Sequence, residues 1–344
     1  MNLKTTLSLL ALAAASGNTL AQSQVTISGT VDAAYRYLKN GSVDQSSLVS
    51  GSETTSKLAF IGTEDLGGGL KAGFWLETQL SADNGVAGVN DLGVDRFWHR
   101  RSTVSLIDSK LGELRLGRAV LPTWSVLSWS DPFGTVGVGA GTTFYGNPQT
   151  YDALTRVRAD NAVQYFTPST GLGGFYANLA AAPGEGRNGG KYVGGRIGYK
   201  AGPFEVTGAY SEGSVIASDV KTSIVGVGYN FGFVNLLASY QNVENALNKN
   251  KHLLIGANKA FGQGLVRASY ERTEGAGLSN GLDADKFAVG YTYSLSKRTA
   301  IYTTAAYLKN KGSANFVIAA NGFTPARGSQ AKSTGFELGL RHNF

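Results

Sequence analysis

The feature that most constrains this fold is a strict two-residue alternation of apolar and polar side chains. From 25 to 37 the odd positions carry apolar side chains or glycine, and the even positions are mostly polar or small. The same period governs 335–344, where Phe336 and Leu338 alternate with charged and small residues. Successive side chains of a β-strand point to opposite faces, so this period indicates strands with one apolar face. Three internal runs extend the prediction of an all-β chain: 192–199, 224–231 and 286–295.

Turn signals divide the chain at regular intervals and alternate with longer polar segments. The tight turns are rich in Gly, Pro, Asn and Asp, which favour reversals of the chain. They lie at 64–70, 108–113, 168–174, 200–204, 230–233, 260–264 and 295–299. Longer polar connections run between them, such as 183–190, 212–219, 242–250 and 273–284. Seven tight turns and eight longer connections predict sixteen antiparallel strands, with both ends of the chain on the same side.

Composition narrows the choice of fold class. The chain has 344 residues, of which 42% are apolar and 16% charged, with 47 Gly and no Cys. This apolar content excludes a disordered chain, and the absence of cysteine excludes disulfide frameworks and Cys-ligated metal sites. Beyond the N-terminus no apolar run reaches the length of a membrane helix. The apolar faces of the strands therefore either fill a soluble core or meet lipid.

A membrane-spanning barrel explains these patterns better than a soluble fold. Short turns at one end, longer loops at the other and outward apolar faces are typical of outer-membrane β-barrels. A secreted β-sandwich or β-solenoid also alternates, but it rarely combines so many long strands with connections that alternate between short and long. Tyr and Phe near the strand ends fit the aromatic girdle of a barrel. We predict a single domain, 22–344, that forms a 16-stranded antiparallel transmembrane β-barrel.

The first residues have a separate role. Lys4 precedes an apolar run at 7–15, and the small side chains of Thr19 and Ala21 fit the −3 and −1 positions of a cleavage site. This pattern predicts a signal peptide, 1–21, that is cleaved after Ala21.

Several segments resemble a known family. They are VTISGTVDAAY at 25–35, SKLAFIGTEDLGGGLKAGFWLE at 56–77, GELRLGR at 112–118, DNAVQYFTPS at 160–169 and GFELGLRHNF at 335–344. Together they are similar to the Gram-negative general porins of the beta-proteobacterial type, the group of Bordetella, Burkholderia, Comamonas and Neisseria. The resemblance implies a homotrimeric barrel of the outer membrane that passes ions and small hydrophilic solutes by passive diffusion. It also implies that the last strand, ending at Phe344, is the signal read by the outer-membrane assembly machinery.

The longest connection outside the C-terminal region, 119–155, is the candidate for a narrowing of the pore. A connection of this length without secondary structure is usually functional or disordered. Two tryptophans and a Pro-Phe-Gly turn favour packing, and the resemblance implies the family's inward-folded third loop, the constriction loop. From 119 to 150 the connection has a single acid and no base. Its candidate residues are Trp124, Trp129, Asp131, Pro132, Phe133 and Gly134.

The wall opposite this loop is expected to carry the fixed charges of the pore. The alternation in the first strand turns Arg36 toward the lumen, and the resemblance places further bases and one carboxylate at the constriction. Bases at the narrow part of a water-filled pore favour anions, so their surplus predicts anion preference. Lumen-facing glycines at 226, 228 and 290 are expected to keep the passage open. The predicted constriction wall is Arg36, Lys57, Glu77, Arg100, Arg118 and Arg158.

Other functions have weaker support. The three histidines, at 99, 252 and 342, are far apart, and we predict no metal site and no cofactor. The motif GEGRNG at 184–189 leads into a strand rather than a helix, which does not fit a dinucleotide site. A substrate-specific channel, a barrel enzyme with catalytic groups at the rim and an adhesin stay open as alternatives. Expected partners are further copies of the chain, outer-membrane lipid, lipopolysaccharide and small anions, without nucleic acid.

Overall fold

The computed structural model describes residues 24–91, 94–146, 157–170, 172–185, 190–214, 219–318 and 331–344. The predicted signal peptide, 1–21, and the part of the long connection at 147–155 lie outside these residues. Most of the described chain is β-strand, as the alternation of side chains predicts.

The described residues contain nineteen strands and one α-helix. The first nine strands are β1 (Gln24–Asn40), β2 (Val43–Ser50), β3 (Lys57–Gly67), β4 (Leu70–Gln79), β5 (Val89–Asp91), β6 (Val94–Arg96), β7 (Arg101–Asp108), β8 (Gly112–Val120) and β9 (Arg158–Phe166). The next five are β10 (Phe175–Ala182), β11 (Tyr192–Ala201), β12 (Phe204–Ser214), β13 (Asp219–Asn230) and β14 (Asn235–Glu244). The last five are β15 (Asn248–Phe261), β16 (Gly264–Gly277), β17 (Leu282–Ser294), β18 (Thr299–Gly312) and β19 (Lys332–Asn343). Helix α1 (Pro122–Ser130) follows β8, and a single turn of 3-10 helix covers Thr143–Gly146.

The strands of the main sheet occupy sixteen positions around one closed ring. The main sheet has 17 strands, but β2 and β3 share a single position because both pair with β1, one with each half of it. Neighbours are antiparallel throughout, and β19 pairs with β1 from Thr30↔Asn343 to Asn40↔Ser333. The predicted strand number is therefore confirmed, and β5 and β6 form a separate two-stranded ladder.

Phe344 completes the closure. Its backbone N–H and carbonyl exchange hydrogen bonds of 3.0 and 3.1 Å with Gly29. The ring of Phe344 occupies the space that a β-carbon at Gly29 would need. The last residue of the chain is thus part of the seam between the first and last strands.

The two faces of the wall differ as the alternation predicts. In β13, Val225 and Val227 are 50% and 41% exposed, whereas the intervening side of the strand carries buried Ile224 and two glycines. In a closed ring the exposed apolar face has no protein partner, and a bilayer supplies the surroundings it needs. The wall therefore presents its apolar side outward and its polar or small side to the lumen.

Two outer connections are shorter than the sequence predicts. We expected long polar connections at 242–250 and 273–284, but β14 to β17 continue through most of these residues, leaving only 245–247 and 278–281 between strands. The predicted boundaries were wrong because ladder hydrogen bonds join backbones and do not require apolar side chains. The Lys249↔Glu244 and Asn250↔Gly275 pairs show polar residues that continue the ladders.

Residues 121–146, which follow β8, fold into the ring instead of away from it. Their helix, α1, begins with a proline at its N-terminus, where the missing N–H costs no hydrogen bond. Nine residues are too few for a stable isolated helix, so packing must hold it in place. Val126 and Leu127 of α1 pack against Ala209 and Ile224 of the inner wall. In the part of the chain that is described, no helix is long and apolar enough to cross a bilayer.

Candidate pore constriction

Glycines of the inner wall leave room for side chains of residues 121–146, here named the in-folded segment. The ring of Trp129 lies over Gly226 and Gly228, where an added β-carbon would come within 3.0 Å of it. In the same way the ring of Pro132 lies against Gly256, and the ring of Phe133 lies against Gly290. The expectation that lumen-facing glycines keep the passage open was therefore wrong at 226, 228 and 290. These glycines make room for the in-folded segment, which covers them.

Asp131 organises the in-folded segment from within. Its carboxylate accepts hydrogen bonds from the backbone N–H groups of Phe133 at 2.8 Å, Thr135 at 2.9 Å and Gly141 at 2.7 Å. The residue is only 5% exposed. The single acid of this segment is thus bound by its own loop, and it does not present a free charge to solutes.

The remaining predicted residues of the segment have structural places. Gly134 adopts a φ of +65°, a region that glycine enters without strain, and it lets the chain turn after Phe133. Trp124 is partly buried against the cluster formed by α1 and the wall. Phe133 joins a second apolar cluster that includes Val138 and Phe144. The segment is therefore packed over most of its length.

A buried ion pair holds the tip of the segment to β16 and β17. Lys286 donates to the carbonyl of Ala140 and, at 2.8 Å, to Oγ1 of Thr143. Its Nζ also lies 2.8 Å from Oε1 of Glu271, and the two side chains are 0% and 2% exposed. Neither residue was predicted, because the sequences of β16 and β17 show only that Glu271 and Lys286 alternate with outward-facing neighbours.

A second tether lies at β1 and β19. Arg36 donates to Oε1 of Glu337 at 2.6 Å, and Oε2 of the same carboxylate accepts from the N–H of Val138 at 3.1 Å. Arg36 faces the lumen as predicted, but its charge is matched by Glu337 and both residues are buried. Arg36, predicted for the constriction wall, is therefore a buried, ion-paired base beside the in-folded segment.

A protrusion between β2 and β3, residues 51–56, also projects into the lumen. It places six residues beside two residues of β1, Val31 and Asp32, so the chain must bulge there. Asp32 on β1 accepts from the backbone N–H groups of Glu53 at 2.9 Å and Thr54 at 2.8 Å. The in-folded segment contacts this β2–β3 protrusion, since a β-carbon at Gly137 would overlap the carbonyl of Ser52. The only signal in the sequence is the loss of alternation in the polar run at 50–56.

The wall that the in-folded segment leaves uncovered carries a basic cluster. Glu77 accepts from Nε of Arg100 at 2.6 Å and lies 3.9 Å from Nζ of Lys57. Asp160 pairs with Arg118 at 2.7 Å and with Arg96 at 2.8 Å. The basic cluster consists of Lys57, Arg96, Arg100, Arg118 and Arg158, together with Glu77 and Asp160. Five of the six predicted wall residues are therefore brought together, and Arg96 and Asp160 are added to them.

A bulge between β8 and β9 turns Arg118 into this cluster. Leu114 and Leu116 face outward, so a regular strand would also turn Arg118 outward. The pairing shifts between Gly117 and Ala119, where Gly117 has a φ of +121° and Asn161 one of +55°. Bulges commonly re-aim side chains in this way. Arg118 was predicted for the constriction wall, but the sequence could not show this change of direction.

The cluster has a surplus of positive charge. Five bases against two acids leave a formal charge of +3. Arg158 donates from Nε to the carbonyl of Arg100 at 2.7 Å, and no ion pair joins it to a carboxylate among the described residues. Burial and the guanidinium groups of Arg158, Arg100 and Arg118 lower the pKa of His99 to about 3. The histidine is therefore neutral at physiological pH, and it leaves the surplus unchanged.

Comparison with known proteins identifies the family. The chain matches the family model of the Gram-negative porins from residue 8 to residue 313. It belongs to the Gram-negative porin family. It is 35% identical to outer membrane porin protein 32 of Delftia acidovorans, over 99% of this chain and 100% of that protein. The structure of the anion-selective porin from Comamonas acidovorans has a TM-score of 0.80 and 31% identity, covering 94% of this chain and 100% of that one.

The structure of a more distant outer membrane protein shares the fold alone. OmpT of Vibrio cholerae, solved in a trimer form, has a TM-score of 0.69 at 14% identity and covers 94% of this chain and 99% of its own. The predicted family, barrel and outer-membrane location are confirmed. This porin is a channel of the Gram-negative outer membrane and not an enzyme.

Proposed function

We propose that this porin is a general diffusion channel that prefers small anions, narrowed between the basic cluster and the in-folded segment. The observation that carries the proposal is the contrast between these two sides of the lumen. One side has a formal surplus of +3, while the other has a single acid, Asp131, which its own backbone binds. A fixed positive charge beside a water-filled passage attracts anions and repels cations. The similarity to a porin described as anion-selective supports the same preference.

Reversal potentials test this preference directly. The porin is inserted into planar bilayers that separate concentrated from dilute KCl. We expect a potential whose sign corresponds to a higher permeability for chloride than for potassium. A clear preference for potassium would contradict the proposal. Saturable block of the current by a sugar or a dicarboxylate would instead favour a substrate-specific channel.

A charge-removing variant ties the preference to the basic cluster. Arg158→Gln removes a base that has no carboxylate partner among the described residues, so the chloride preference should fall about two- to fivefold in dilute salt. The matched control is Lys221→Gln, whose side chain is 52% exposed on the outer face of β13. Equal effects of the two substitutions would mean that the cluster does not set the preference.

We also propose that the porin forms a homotrimer through the outer face of β1 to β8. At the turn end, β10 to β17 and the turns between them carry outward aromatic rings such as Phe175, Phe231 and Phe261, as expected at a lipid interface. At the same level the first strands expose aliphatic side chains instead. Examples are Val25, Ile27, Leu106 and Leu114. An apolar arc that is mostly aliphatic at this level, with the ring of Phe74 further from the turns, fits contact with other copies of the chain better than contact with lipid headgroups.

A further inference from the structure

The β2–β3 protrusion brings an acid to two arginines on the opposite side of the barrel seam. Oε1 of Glu53 accepts from Nη2 of Arg267 on β16 and from the hydroxyl of Thr292 on β17. Its Oε2 lies 3.2 Å from Nη1 of Arg341 on β19. The side chain of Glu53 is only 4% exposed, while that of Arg341 is 26% exposed. One carboxylate thus pairs with two guanidinium groups, and that of Arg341 is exposed to the water of the lumen.

We propose that Glu53 sets the degree of ion selectivity by cancelling positive charge on this part of the wall. Without Glu53, Arg267 and Arg341 would form a second basic surface facing the lumen. With it, the anion preference depends mainly on the basic cluster of β3 to β9. The inference deepens the proposed anion preference, and it concerns a residue that lies outside the predicted constriction wall.

The charge balance around the protrusion supports this role. Asp32 is bound by Tyr302 and by the backbone of the protrusion, and Glu337 is paired with Arg36. Neither acid is therefore available to Arg341 in place of Glu53. The region contains three acids and three bases and is neutral, and loss of Glu53 alone would leave it at +1. The acids are Asp32, Glu53 and Glu337, and the bases are Arg36, Arg267 and Arg341.

The position of Arg267 extends the effect toward the in-folded segment. Its guanidinium carbon lies 5.6 Å from the centre of the Phe133 ring, which keeps the group beside the segment. Arg267 also donates to Thr292, so the loss of one acceptor leaves it held in the same place. A change at Glu53 should therefore alter the charge of the wall more than its shape.

The test uses the isosteric variant Glu53→Gln in the full porin. The amide keeps an oxygen that accepts hydrogen bonds but removes the charge. We expect the chloride-to-potassium permeability ratio to rise about two- to fivefold in dilute KCl, as a unit charge close to the passage would produce. Glu244→Gln is the matched control, since this glutamate is 40% exposed on the outer face of β14. An unchanged or lower ratio in Glu53→Gln would overturn the inference.

Two further variants separate charge from folding. Arg341→Gln removes one partner base and should lower the ratio, and this variant decides the matter alone if Glu53→Gln does not insert. The double variant Glu53→Gln with Arg341→Gln restores a neutral region and should return the ratio to that of the unaltered porin. Conductance in concentrated KCl, where charge is screened, reports the width of the passage and should change little in each variant. A ratio that follows width instead of charge would contradict the inference.

The outcome is independent of the proposed preference of the unaltered porin. Each variant is compared with the unaltered porin, so the direction of the shift can be read even if that porin prefers cations. A cation-preferring porin whose ratio still rises in Glu53→Gln would refute the proposed function and support the role of Glu53.

Discussion

Among single residues, burial separates the charges that meet solutes from those that hold the structure. The side chain of Lys57 in the basic cluster is 34% exposed, whereas that of Lys286 is fully buried between the wall and the in-folded segment. Alternation along the strands predicted which side chains face the lumen, except at the bulge that re-aims Arg118. It could not predict their pairing, because Arg36 and Glu337 are 301 positions apart. Arg36 and Asp131 were therefore predicted as lining charges although both are occupied by partners.

Replacing Lys286 tests the tether of the in-folded segment. Lys286→Met removes the donor to Ala140 and Thr143 and leaves Glu271 buried without its partner. Breaking a buried pair on one side typically costs about 3 to 5 kcal/mol, so the porin should unfold at a lower temperature. With the tip released, single-channel currents should show extra conductance levels and more noise.

The control for this variant is Lys309→Met, a change to an exposed, outward-facing side chain of β18. Thermal unfolding and bilayer recordings are made on both variants. Equally quiet current steps and equal unfolding temperatures in the two proteins would show that Lys286 does not hold the segment.

Among the elements, the strands followed from the sequence and the interruptions did not. A period of two and clustered turn residues are local signals, so the strands and the tight turns could be predicted. The β2–β3 protrusion and the bulge at Gly117 depend on how the backbone pairs with neighbouring strands. Polar residues such as those at 50–56 do not show this pairing in the sequence. In-folding was predicted for the connection at 119–155, and its described part, 121–146, packs against the inner wall. The contacts of its side chains with the wall glycines were not predicted. The sequence of a strand does not show whether a glycine in it faces water or the ring of a tryptophan.

Substituting one of the glycines beneath the in-folded segment tests how closely the segment packs against the wall. In Gly256→Ala, the new β-carbon would overlap the ring of Pro132. The segment should be pushed from the wall into the passage, so the single-channel conductance should fall. Gly208→Ala is the matched control, because its nearest neighbour to an added β-carbon is a backbone oxygen at 3.7 Å. A conductance that is the same in both variants would contradict a close fit.

At the scale of the whole molecule, the barrel has two different outer arcs. The chain contains no cysteine, so single cysteines can be introduced and spin-labelled without a background. Leu106→Cys lies on the aliphatic arc of the first strands, and Val225→Cys lies on the opposite arc. If the first arc is covered in a homotrimer, its label should be less accessible to oxygen dissolved in the bilayer, as measured by electron paramagnetic resonance. Equal accessibility at the two positions would exclude this arc as the subunit contact.

The ladder between β1 and β19 has a consequence for how the porin is assembled. It joins Thr30 to Asn343, which are 313 positions apart, so the contact that completes the ring is among the least local in the protein. Bringing such distant segments together carries a large entropic cost and is slow. A chain that lacks β19 would expose two unpaired strand edges to hydrocarbon. A closed wall in the bilayer therefore requires β19, and insertion must wait for a chain that already contains its last strand.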